Sequence, residues 1–116
     1  MNWKRLLDAL VKQESRGDCN AIGDGGLAVG PLQAHPDVII DVNNKYGTNF
    51  TPEDRTDENK SRAICVLYVL IYAREDRIGH KPTEQDYALC WHYGPNFYKI
   101  PDKDNYWTQV LEKINE

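Results

Sequence analysis

The chain has 116 residues and a formal net charge of −4. That length favours a single domain able to bury a real core, and a composition that is 41% hydrophobic and 28% charged excludes a disordered chain. The acidic balance argues against nucleic acid as a partner, because a basic face supplies most non-specific affinity for phosphate backbones.

In chain order, the first helix is expected over about residues 2–16. Trp3, Leu7, Leu10 and Glu14 follow one another at steps of four, three and four, so they share one face, and Gly17 is a typical residue just past a helix end. No apolar core or small-residue cleavage site precedes this amphipathic segment, so no signal peptide is expected. Residues 17–35 read as loop, with Gly23, Gly25, Gly26 and Gly30 in close succession. Pro36 suits the first position of a second helix, which Gly47 ends.

Thr51-Pro52-Glu53-Asp54 resembles a cap, an N1 proline and an acidic residue three positions on, and should open a short turn or helix. The longest helix is expected over about 57–78, with a centre from Ala63 to Ala73 that is apolar on every side and therefore buried. Gly79 and Pro82 end it. Thr83 with Asp86 caps a helix running to about Tyr93, where Gly94-Pro95 stops it. A last helix follows Asp102 to Asp104, with Tyr106 or Trp107, Val110, Leu111 and Ile114 on one side. No run long enough to span a bilayer and no alternating strand pattern occurs, so the fold class is mainly α, a single domain over residues 1–116 wrapped around a buried central helix, without membrane insertion.

Glu14 closes an apolar stripe, and a carboxyl among apolar neighbours is held towards its neutral form, as a general acid requires. The alternative is a glutamate at a fraying helix end that points to water. Cys19, Cys65 and Cys90 are odd in number and widely spaced, so reduced thiols are expected. His35, His80 and His92 lack metal-ligand spacing, and no phosphate loop or GxSxG element occurs. Neither metal nor cofactor is expected.

Glu14-Ser15, Gly23-Asp24-x-Gly26 and Gly30-x-Leu32-Gln33 together resemble the catalytic segment of goose-type lysozymes and lytic transglycosylases. Pro31-Leu32 stands where Leu-Met is usual. Ala88-Leu89-Cys90-Trp91-His92-Tyr93-Gly94 is similar to the family's Ala-Tyr-Asn-x-Gly segment, with Trp91 and His92 in place of tyrosine and asparagine, and Asn105-Tyr106 with Val110 to its C-terminal Tyr-x-x-x-Val helix. The blocks keep the family order and cover residues 14 to 110.

The resemblance implies a lysozyme-like helical fold and cleavage of a β-1,4 glycosidic bond in peptidoglycan, or in a related N-acetylated glycan such as chitin oligomers. Glu14 takes the place of the catalytic acid. Asp24 falls where the goose-type hydrolases carry an aspartate implicated in water activation, whereas transglycosylases lack a second carboxylate; an ordinary turn residue is the alternative. The family's further aspartate, two residues after the motif glutamine, is replaced by His35. Ser15, Gly30, Gln33 and His35 are implied around the sugar groove, with Trp91, His92, Tyr93 and Tyr106 as walls and hydrogen-bonding groups, or as core packing. A monomer is expected, of a kind that suits a phage lysin delivered to the cell wall. A catalytically silent glycan-binding or structural module of the same fold is the rival reading, favoured by the substituted motifs and the acidic charge.

Overall fold

Local signals set most element boundaries, and the computed structural model, which describes residues 1–116, follows them closely. Helix α1 spans Trp3–Ser15 and ends where Arg16 and Gly17 both turn left-handed, at φ 56° and 86°. Helix α2 spans Pro36–Tyr46, with proline in its first turn and a left-handed Gly47 after it. A 3-10 turn at Pro52–Thr56 carries the reciprocal capping box between Thr51 and Asp54. Helix α5, Glu84–Tyr93, opens with the same device between Thr83 and Asp86. Six α-helices make the protein mainly α-helical; α3 is Glu58–Tyr72, α4 is Glu75–Ile78 and α6 is Tyr106–Ile114. No helix is long and apolar enough to cross a membrane.

The long central helix differs from expectation in two ways. It stops at Tyr72 instead of Ile78, because Arg74 turns extended and α4 starts a separate turn. The freed Tyr72 carbonyl accepts a 2.8 Å hydrogen bond from Arg77 Nη1, which also donates to the Pro95 carbonyl while its guanidinium lies over the Tyr72 and Tyr98 rings. Nor is α3 buried on every side. Ser61, Ile64, Cys65, Tyr68 and Val69 form the buried face, whereas Ala63 and Leu70 are exposed. Apolar residues at exposed positions are common, so an all-round apolar run does not by itself imply all-round burial.

The loop region also contains what no alternation could signal. Strands β1, Ile22–Gly23, and β2, Ala28–Val29, pair antiparallel as Ile22 with Val29 and Gly23 with Ala28. At two residues each they are too short to leave a period.

Packing divides the chain into two units. Unit 1 comprises Met1–Gln13 and Val69–Glu116, and unit 2 comprises Glu14–Tyr68. Buried residues of unit 1 include Leu6, Leu10, Ala88, Phe97, Tyr106 and Val110; those of unit 2 include Leu32, Ala34, Ile39, Val42 and Ile64. All three cysteines are free thiols. Burial pushes the Cys90 thiol up to about 12.

Candidate active site

Within unit 2 the candidate site grows from the C-terminal turn of α1. Glu14 is half-buried there. Its neighbour Ser15 joins the helix end to the glycine loop, donating from Oγ to the Pro31 carbonyl at 2.7 Å and accepting from the Gly17 N–H at 3.1 Å.

Between the short strands the chain turns through Asp24–Gly26, with Asp24, Gly25 and Gly26 all at positive φ. An aspartate tolerates that left-handed conformation better than most side chains, which fits its place at the start of the turn. Asp24 Oδ2 lies 2.8 Å from His35 Nε2, and both side chains reach solvent, at 68% and 43% exposure. The structure thus brings together two residues that the sequence separates by a whole hairpin.

The rest of the loop is held from within. Gln33, itself at φ 54°, donates from Nε2 to the Ala21 and Gly30 carbonyls, both at 3.0 Å. Val29 and Ala34 exchange two backbone hydrogen bonds, and the Gly30 N–H donates to Ala21. Gly30 has φ 89°, and a Cβ added there would sit 1.8 Å from the Arg55 carbonyl oxygen, so only glycine fits. Arg55 itself is buried and donates to the Pro52, Leu27 and Ala34 carbonyls. Sequence reasoning missed this residue, because nothing near Arg55 indicates that its guanidinium reaches back 21 and 28 residues.

The aromatic residues implied by the resemblance gather in unit 1. Trp91 and Tyr106 are buried, at 9% and 2% exposure. His92 stacks on Tyr106, with ring centroids 4.0 Å apart and planes 8° from parallel, and meets Tyr93 edge-on. Its Nε2 lies 3.5 Å from Asp104 Oδ2. The Tyr93 hydroxyl donates to Asp102 Oδ1 at 2.9 Å, and both burial and that bond raise its pKa.

Asp102 in turn accepts from the Tyr106 and Trp107 N–H groups, which open α6. Burial alone pushes the Asp102 carboxyl up, but these backbone bonds, the Tyr93 hydroxyl and the nearby His92 together hold it below the usual carboxylate range. The capping carboxylate comes from three residues before the residue that begins the helical turn, Asn105, which sits in the left-handed region.

No family model matches the chain, and no curated protein matches its sequence.

Proposed function

We propose that the chain is a lysozyme-like glycoside hydrolase acting on the β-1,4 bond between N-acetylmuramic acid and N-acetylglucosamine in peptidoglycan. The observation that carries this reading is the Asp24–His35 pair, presented to solvent on a loop that Ser15 ties to the helix end bearing Glu14. Glu14 donates its proton to the departing glycosidic oxygen. Asp24, oriented through Oδ2 by His35, takes a proton from the water that attacks the anomeric carbon from the opposite face. Such a reaction inverts the anomeric centre and suits carboxyl groups about 6.5 to 9.5 Å apart.

The test uses purified wall sacculi and mass spectrometry of the released ends. Glu14→Gln is expected to abolish release with an unchanged unfolding temperature, and retained turnover rejects the acid role. Reducing ends are expected from the wild type; anhydro ends assign a transglycosylase, in which the substrate's own substituent replaces water and Asp24→Asn has little effect. A catalytically silent glycan-binding module is the second reading, favoured by the use of both Gln33 amide hydrogens inside the loop and by the net charge of −4. Retained affinity for sacculi with no new ends selects it.

A further inference from the structure

In unit 1 the Arg77 side chain is held in place by only part of its hydrogen-bonding capacity. Its Nη1 donates to the Tyr72 and Pro95 carbonyls at 2.8 and 3.0 Å, and its guanidinium lies 5.2 and 5.6 Å from the centroids of the Tyr72 and Tyr98 rings. Together these contacts fix the plane of the group. The Nε–H and one Nη2–H point the same way in any guanidinium, and here they meet no acceptor in the chain, while neither nitrogen is sealed from solvent. That edge matches two oxygens of a single oxyanion.

A second cation stands at the same ring. Exposed Lys99, in the turn Phe97–Lys99, has its Nζ 5.5 Å from the Tyr98 centroid, so it lies within about 11 Å of the Arg77 guanidinium carbon. Neither cation has a carboxylate partner. Of the acidic residues beside Arg77 on α4, Asp76 pairs with Arg74, and Glu75 is two positions away, where helix side chains do not face each other. Asp102, close to Lys99 in sequence, is engaged by the Tyr93 hydroxyl and the N–H groups that open α6.

We propose that Arg77 and Lys99 form a binding site for a phosphate group. The Arg77 fork takes two phosphate oxygens, and Lys99, a point charge on a flexible stem, meets a third oxygen and the second negative charge. A carboxylate fits the fork but offers Lys99 neither a further oxygen nor a second charge. Because the guanidinium is already positioned, binding orders no further arginine torsion. The residues concerned all belong to unit 1, so the site stands or falls independently of the glycan reading.

The test titrates inorganic phosphate, glycerol 3-phosphate and acetate into the isotope-labelled full chain, with sodium chloride holding ionic strength constant, at about pH 7.5 where phosphate is mostly doubly charged. The Arg77 Nε–H and the Tyr98 ring signals are followed by NMR. Inorganic phosphate is expected to shift them saturably, with acetate binding about tenfold more weakly. Glycerol 3-phosphate binding as tightly as the free ion assigns the site to esterified phosphate, and weaker binding assigns it to the ion itself; both support the proposal. Arg77→Lys keeps the charge but removes the fork, and is expected to lose about tenfold in phosphate affinity. Lys99→Gln is expected to lose about threefold for phosphate and to leave acetate unchanged. Should Arg77→Lys fail to fold for want of its bonds to the Tyr72 and Pro95 carbonyls, the ranking of the anions and the Lys99→Gln variant decide. Acetate binding as tightly as phosphate, a folded Arg77→Lys variant with unchanged affinity, phosphate affinity unaffected by Lys99→Gln, or no saturable shift at the Arg77 Nε–H overturns the proposal.

Discussion

The glycine loop of unit 2 and the aromatic segment of unit 1 solve the same problem, holding irregular backbone in one shape, by opposite means. Around Gly30 the anchors are side chains that reach backbone carbonyls: Ser15 to Pro31, Gln33 to Ala21 and Gly30, and Arg55 to Leu27 and Ala34. Around Tyr106 the anchors are rings in contact and one carboxylate, Asp102, that gathers two N–H groups and a phenol. The first scheme leaves no room at Gly30 and depends on every carbonyl keeping its donor. The second spreads its support over packed surface, so loss of any one polar contact should cost less.

Substitutions can break this contrast. The largest effect is expected at Gly30→Ala, where left-handed backbone and a clash with the Arg55 carbonyl act together, at about 4 kcal/mol of unfolding free energy. Gly25→Ala is the control: it shares the positive φ but meets open space, so about 1 kcal/mol is expected in the same urea titration. Equal losses at the two glycines would remove steric fit from the account of the loop. Next comes Arg55→Met, which keeps apolar bulk but leaves the Leu27 carbonyl without its donor and the Ala34 carbonyl with the Val29 N–H alone, at about 2 kcal/mol.

The smallest effect belongs to the aromatic segment. Asp102→Asn is expected to cost about 1 kcal/mol at neutral pH, the usual value of a helix cap. Its pH dependence sharpens the comparison. The Asp102 carboxyl titrates below its ordinary value in the folded chain, so its stabilisation is complete above the unfolded carboxylate pKa of about 3.9 and disappears as pH falls through the lower folded value. Thermal unfolding of wild type and Asp102→Asn should therefore converge in acid; a gap that stays constant below that range would mean that the cap does not depend on ionisation.

Much of the helical framework was legible in the sequence because each signal acts within a turn of its own position. Gly17 and Gly47 end helices by adopting the left-handed region, and the Thr51/Asp54 and Thr83/Asp86 pairs cap within three residues. Glu14, Asp24 and His35 were each visible as chemistry-bearing residues, but a linear string of letters carries no sign that the last two are hydrogen-bonded. The same holds for Arg55, whose bonds span 21 and 28 residues.

Periodicity and capping thus established most of the helices and their order from interactions between near neighbours, and left open whether Glu14 at the end of α1 faces apolar neighbours or water. Folding in three dimensions decided which side of α3 is covered, where that helix breaks over Arg77, which glycine is sterically irreplaceable and which polar side chains are engaged in holding the loop. Those outcomes depend on partners distant along the chain, and burial and hydrogen bonding become definite only once such partners meet.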